Sequence, residues 1–253
     1  MSLAIITGAS SGLGREYART VLEKYPQYDE LLLIARREER LRAIAEEYPG
    51  RKIHILPLDL TAEDSIRAAG AWLVEHGARV GLLVNNAGMG TLGEVADSDP
   101  ATQGHMVDLN CRALTELTTL VLKFMDRGGV ILNVCSIASF VPNARLNTYS
   151  ATKAYVLSFT KGLRYELRAK GINVLAACPG PMDTEFLPVA GISKGTSAAF
   201  DRLPRVRPER MAERSLAAAH RGKCVYTDGA LYRFYRVVAK ILPHNWLLPA
   251  AKC

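Results

Sequence analysis

The chain has 253 residues, is 49% hydrophobic and carries a formal charge of +7, with 32 Lys and Arg against 25 Asp and Glu. That apolar content builds a sizeable core and excludes a mainly disordered chain, and α/β folds of about 250 residues often form one domain. Residues 1–200 hold 21 basic and 21 acidic side chains while residues 201–253 hold 11 and 4, and a neutral body with a basic tail argues against nucleic acid as a partner.

Short apolar runs alternate with longer, charged, periodic stretches along the chain. Residues 3–7 form the first expected strand and 12–25 the first helix, joined by T-G-A-S-S-G-L-G at 7–14. Glycines in such a turn let the backbone approach a pyrophosphate, and the new helix offers free N–H groups. The spacing is G-x3-G-x-G, and by itself the loop also reads as a tight turn, a reading its place between a strand and a helix weakens. A strand over 31–35 ends at Ala35-Arg36-Arg37, ahead of a helix over 38–48. A strand over 53–58 leads through Asp59, Leu60 and Thr61 into a helix over 62–77, where Thr61 and Asp64 have the form of a capping box. Strand 80–85, helix 99–125, strand 130–136, helix 148–170 and strand 172–177 follow. Nearly continuous apolar strands are buried on both faces, and their alternation with helices predicts a doubly wound parallel sheet. The expected fold class is therefore α/β: a Rossmann-type, three-layer α/β/α domain over residues 1–253. Residues 179–208 hold five prolines and three glycines, a connection long enough to serve as a binding loop. A helix near 209–221, a short strand at 224–227 and a final helix from about Ala230 complete the chain.

Two groups of side chains carry chemistry. An acid after the second strand would accept from a plain ribose, whereas Arg36 and Arg37 attract a 2′-phosphate, which points to NADP(H). The same pair reads alternatively as solvated charges opening the next helix. Arg15, just past the loop glycines, also stands within reach of that phosphate. Tyr149 and Lys153 lie four apart on one helix face, a spacing that by itself reads more often as a surface aromatic–cation pair than as a site. A nearby ammonium is expected to lower the phenol pKa from about 10 and fit it for proton exchange with a carbonyl or alcohol. Ser136 stands at the carboxyl end of a buried strand, where ligands bind in parallel sheets.

T-G-A-S-S-G-L-G at 7–14, D-L-T at 59–61, N-N-A-G at 85–88, Asn110, Ser136, Y-S-A-T-K at 149–153 and P-G-P-M-D-T at 179–184 occur in order. Together they resemble the short-chain dehydrogenase/reductase family, in its branch of about 250 residues. The resemblance implies that Tyr149 is the acid/base, that Lys153 tunes it and binds the nicotinamide ribose, and that Ser136 orients the carbonyl. It implies that Asn110 holds a water linking the lysine to solvent. For the cofactor it implies Gly8, Ser10, Ser11, Gly12, Leu13 and Gly14 at the phosphates, with Asp59 and Leu60 at the adenine. Asn86, Ala87 and Gly88 would line the cleft, and Pro179, Gly180, Met182 and Thr184 would hold the nicotinamide. Read without the family, Asn110 is a polar helix residue and Asp59 a turn or cap.

The stretch Tyr149–Gly180 further resembles the hydroxysteroid dehydrogenase and 3-ketoacyl-CoA reductase subgroup, which implies a lipophilic ketone such as a steroid or bile acid. Phe140, Val141 and Leu146, and Phe186, Leu187, Val189, Ile192 and Phe200 of the 181–208 loop, are candidate substrate contacts or ordinary loop anchors. A 3-ketoacyl or general carbonyl reductase is the alternative, and a catalytically idle NADP(H)-binding regulator the alternative from another class. In the basic tail, 229–253, Leu231, Tyr235, Val238 and Leu242 form an apolar stripe widened by Phe234 and Ile241, with Arg233, Arg236 and Lys240 opposite. Such a helix packs on its own or a partner subunit in a homodimer or homotetramer, covers the substrate, or lies on a membrane surface. Its charge can also draw acidic substrates. No run of 18 apolar residues and no signal-peptide start is expected to place the chain elsewhere than the cytoplasm. The cysteines Cys111, Cys135, Cys178, Cys224 and Cys253 include no CxxC and read as reduced thiols. The histidines form no HExxH, and no metal site is expected.

Overall fold

A computed structural model describes residues 2–193, 195–196 and 198–249. Lys194 and Ser197 of the 181–208 loop, and residues 250–253 of the tail with Cys253, lie outside the described residues. Seven strands form one sheet: β1 (Leu3–Thr7), β2 (Glu30–Ala35), β3 (Lys52–Pro57), β4 (Val80–Asn85), β5 (Met125–Val134), β6 (Asn173–Ala177) and β7 (Val225–Tyr226). Their order is β3-β2-β1-β4-β5-β6-β7 and every neighbouring pair is parallel. The order reverses direction between β1 and β4, and the crevice at such a switch point takes the ligand.

Period-two alternation splits the apolar residues of each buried strand between two cores. Ala4 and Ile6 join Tyr17, Val21, Leu41 and Leu216 on one face; Leu3 and Ile5 join Leu73, Leu117, Val121 and Leu163 on the other. The first face is covered by α1 (Gly12–Lys24), α2 (Glu38–Glu47) and the later α9, the second by α3 (Ser65–Glu75), α5 and α6. α4 (Pro100–Val107) and α5 (Leu114–Val121) precede β5, and α6 (Asn147–Leu167) follows it. The 181–208 connection contains two short helices, α7 (Phe186–Val189) and α8 (Ala198–Arg202). After it come α9 (Pro208–His220), α10 (Ala230–Ile241) and α11 (His244–Leu247). The three-layer α/β/α architecture expected from the sequence is the one observed.

Three local expectations are corrected. The helix expected over 99–125 is interrupted by a π-helical segment, Asp108–Ala113, and ends in a single 3-10 turn, Leu122–Phe124. β5 therefore begins at Met125, where the register against β4 shifts between Val80 and Leu82. The helix expected from 62 begins at Ser65, and no capping box forms. Thr61 has turned to Asp59 instead: its amide and hydroxyl donate to Asp59 Oδ1 at 2.9 and 2.6 Å. On α10, Tyr232 and Ala239 are the buried residues, whereas Leu231, Phe234, Val237 and Ile241 are 50%, 66%, 49% and 73% exposed. The buried face is thus rotated from the expected stripe. Gly180 makes room for it, since a Cβ there would lie 2.4 Å from the Tyr232 ring. Tyr232 fills the space and donates to Pro204 O at 2.6 Å.

Candidate active site

The carboxyl ends of the strands open into a cleft of about 1020 Å³. At one end the β1–α1 turn supplies Gly8 and Gly12, both at positive φ (64° and 51°) where a side chain would be strained. A Cβ on Gly14 would lie 2.1 Å from Gly8 O and 2.5 Å from Asn86 Nδ2. Gly14 therefore lets α1 close on the turn and does not itself line the cleft, while Gly8, Ser10, Ser11, Gly12 and Leu13 do. Asn86 braces this turn by donating from Nδ2 to Thr7 O at 3.0 Å and Gly8 O at 3.2 Å, and Thr7 Oγ1 accepts from the Asn86 and Ala87 amides at 3.0 Å. A side-chain-free turn at a helix N-terminus, inside a cleft of this size, fits a dinucleotide.

At the outer edge, Arg37 donates from Nη2 to Ser10 Oγ at 3.1 Å and Ser11 Oγ at 2.8 Å. Arg36 is 72% exposed and 4.0 Å from Asp59. Both arginines line the cleft with Asp59 and Leu60, so the cations and the adenine-side residues share one place. Arg15 pairs with Glu47 and lines a second, smaller pocket beside Ser10, Ser11 and Gly12. Glu185, which the sequence did not single out, accepts from Arg37 Nη1 at 2.9 Å and from Arg40.

Towards the middle, Ser136, Tyr149 and Lys153 converge. Ser136 caps a 3-10 turn just past β5, accepting from the Ala138 amide at 3.1 Å, and lines the same cleft wall as the Tyr149 phenol, whose pKa its hydroxyl draws down. Lys153 is buried, donates to Val134 O at 2.9 Å, and holds Nζ 5.7 Å from the Tyr149 ring centroid. Asn110, on the π-helical segment, is 1% exposed. Its Oδ1 accepts from Met89 N at 2.9 Å and its Nδ2 donates to Met89 O at 2.8 Å and Thr152 Oγ1 at 3.0 Å. Both amide protons are committed to protein, so no side-chain donor of Asn110 is left for a water. The residue ties the chain after Gly88 to the helix that carries Tyr149 and Lys153.

Burial, not the ammonium, dominates Tyr149. Its pKa is raised above the ordinary phenol value, with the Ser136 bond pulling the other way. Burial also lowers the pKa of Lys153. The lowered phenol pKa expected from the four-residue spacing is thus overturned in this state. A neutral phenol is a proton donor, which suits ketone reduction.

Leu146, Phe186 and Leu187 line the cleft as expected, with Val189, Ile192 and Phe200. The Phe186 ring lies 5.4 Å from that of Tyr149. Phe140 and Val141 are the exceptions among the expected substrate contacts. Both are buried with Leu114, Cys135 and Val156, outside the cleft wall. The Phe140 ring sits 6.1 Å from Tyr235, and Tyr235 reaches the cleft in its place. Leu231, Tyr232, Tyr235 and Leu247 bring the tail to the wall. Pro179, Gly180, Met182 and Thr184 line it too. Among the described residues no His, Cys, Asp and Glu cluster could hold a metal, and no helix is long and apolar enough to cross a membrane.

The family model for short chain dehydrogenase matches residues 2–191. Sulfoacetaldehyde reductase 2 of Chromohalobacter salexigens is 37% identical over 208 residues, 80% of this chain and 81% of that protein. The 17-beta-hydroxysteroid dehydrogenase type 3 of Rattus norvegicus is 32% identical over 203 residues, 78% of this chain and 65% of that one. Among solved structures, a short-chain dehydrogenase from Sphingobium yanoikuyae in complex with NADPH superposes with a TM-score of 0.79 at 29% identity, covering 96% of this chain and 97% of the other.

Proposed function

This chain belongs to the short-chain dehydrogenase/reductase family, and on that premise we propose that it interconverts a ketone and a secondary alcohol on a lipophilic substrate. It is an NADP(H)-dependent oxidoreductase. The nicotinamide supplies or takes the hydride. Tyr149 and Ser136 direct two hydroxyls at the carbonyl oxygen, where negative charge develops, and Tyr149 delivers the proton. Lys153, fixed by the Val134 carbonyl beside the Tyr149 ring, would hold the nicotinamide ribose. Arg36 and Arg37 hold the 2′-phosphate, and Gly8, Ser10, Ser11 and Gly12 give the pyrophosphate a bare backbone.

The observation that carries the lipophilic reading is the wall of the substrate half: Leu146, Phe186, Leu187, Val189, Leu231 and Tyr235. A steroid or bile acid suits its apolar chemistry, and a 3-ketoacyl thioester is the alternative. Arg202 on the same wall would meet an acidic group on either. The exposed Leu231, Phe234, Val237, Ile241 and Trp246 support assembly as a homodimer or homotetramer, with contact to a membrane surface as the alternative cover. Cys111, Cys135, Cys178 and Cys224 are free, in keeping with a cytoplasmic location. The test is a screen of steroid, bile-acid and ketoacyl substrates by NADPH absorbance, repeated with Tyr149→Phe. Turnover is expected to vanish while NADPH binding stays. Turnover that survives would remove Tyr149 from the chemistry, and turnover of small polar aldehydes alone would remove the lipophilic assignment.

A further inference from the structure

Glu185 stands where the two halves of the cleft meet. On its cofactor side it accepts from Arg37 at 2.9 Å and from Arg40, one turn further along α2. The same Arg37 guanidinium donates to Ser10 and Ser11 of the phosphate turn. On its substrate side the next residue is Phe186, whose ring lies 5.4 Å from Tyr149. Phe186 also presses on the backbone at Gly90, where a Cβ would lie 2.8 Å from its Cζ. An acid from the substrate loop thus neutralises the cations suited to a phosphate, and its position seats an aromatic ring against the proton donor.

We propose that Glu185 is an internal stand-in for the 2′-phosphate, a latch that the phosphorylated ribose displaces from Arg37 and Arg40 and whose release lets the Phe186 segment leave Tyr149. This rests on the reading that Arg37 holds the 2′-phosphate. Glu185 is a positioning and specificity residue: it touches neither carbonyl nor hydride, and it makes access to Tyr149 follow cofactor binding. The exchange is chemically matched. A phosphate brings more charge and more acceptor oxygens to two guanidiniums than one carboxylate does. The pair is open to an incoming anion, Arg37 being 38% and Glu185 45% exposed, and ion pairs this exposed are weak. Protonation does not open the latch near neutral pH, because Arg40 and Arg37 hold the Glu185 carboxyl down to about 2. Only a competing anion does.

Calorimetric titration of the full chain with adenosine 2′,5′-bisphosphate and with 5′-ADP separates the parts. Glu185→Gln is expected to bind the 2′,5′-bisphosphate about 3- to 10-fold tighter and 5′-ADP within about twofold of the parent. Amide exchange at Ala190 and Ile192, whose N–H groups bond within the loop to Phe186 and Leu187, is expected to rise when the 2′,5′-bisphosphate binds the parent and to be high already in Glu185→Gln. Equal or weaker 2′,5′-bisphosphate binding by Glu185→Gln overturns the latch and makes Glu185 a clasp over the bound cofactor or a bystander. Arg37→Ala tests the premise by itself. If it leaves the preference for the 2′,5′-bisphosphate over 5′-ADP intact, the 2′-phosphate reading fails. If it abolishes that preference while Glu185→Gln gains nothing, only the latch fails.

Discussion

Asn110→Ala separates two roles for one residue. If the side chain serves only to carry a water for the proton path, its loss slows turnover and leaves the fold untouched. The structure gives it mechanical work as well: three hydrogen bonds of 2.9, 2.8 and 3.0 Å to Met89 N, Met89 O and Thr152 Oγ1. The bonds sit at a residue 1% exposed, so water does not simply replace them. At about 1 kcal/mol each the loss is about 3 kcal/mol. In a chain of this size that lowers the melting temperature by about 6–12 °C. Freeing Met89 also frees Gly88, where a Cβ would lie 3.0 Å from Asn110 Oδ1 and 3.3 Å from Lys153 Nζ. The lysine wall then loosens, and a displacement of about 1 Å there costs up to about 100-fold in rate. Differential scanning calorimetry and NADPH-monitored turnover on the same sample are the assays. A melting temperature within about 1 °C of the parent, with turnover reduced, would refute the clamp and leave the water alone as the role of Asn110.

Gly14→Ala is expected to abolish cofactor binding, because its methyl would meet Gly8 O at 2.1 Å. Gly162→Ala, inside α6 with nothing within 4 Å of the new methyl, is expected to raise stability by about 1 kcal/mol; thermal melts and NADPH fluorescence titration check both. Arg36→Asp combined with Arg37→Asn is expected to weaken NADPH far more than NADH, and equal losses measured in parallel titrations would show that these arginines do not read the 2′-phosphate. His220 has its pKa lowered by burial and accepts or donates a 2.8 Å bond with Tyr28. The neutral ring is thus the form the fold prefers, so its contribution is present above the unfolded value of about 6.5 and is lost as pH falls below it towards the folded value. Melting curves from pH 8 to pH 5 are expected to fall less steeply for His220→Gln than for the parent.

The strand and helix alternation was legible because each central strand is buried on both faces and so reads as an unbroken apolar run. The glycine turn, Arg36, Arg37 and Ser136 were legible because they stand just past strand ends, where the sequence changes from apolar to Gly, Ser or Arg, and Tyr149 and Lys153 because four-residue spacing places both on one face of α6. The interruption at Asn110 was not. Met106, Ala113, Leu114, Leu117 and Val121 keep a helical apolar pattern straight through the π-helical segment, so periodicity cannot register the extra residue in the turn. Glu185 was hidden for the opposite reason: it sits in an irregular stretch, and its partners Arg37 and Arg40 are far away in sequence. The direction of the Tyr149 pKa also escaped, because spacing to Lys153 is local while burial of the phenol is built by distant groups such as Phe186.

The division of the cleft follows chain order, and this bears on how substrate choice is set. Residues 8–153 supply the phosphate turn, the arginines and the Ser136–Tyr149–Lys153 group. Apart from Leu146, the substrate wall comes largely from residues 186–247, through Phe186, Leu187, Phe200, Leu203, Leu231, Tyr235 and Leu247. The family match spans 2–191, so the chemistry lies wholly inside the shared part and most of the wall lies at its end or beyond it. Gly180 joins the two parts. It lines the cleft, and the absence of its Cβ is what lets Tyr232 dock the tail there. A bulkier residue at 180 would push Tyr232 out and withdraw Leu231 and Tyr235 from the wall, while leaving Ser136, Tyr149 and Lys153 where they stand.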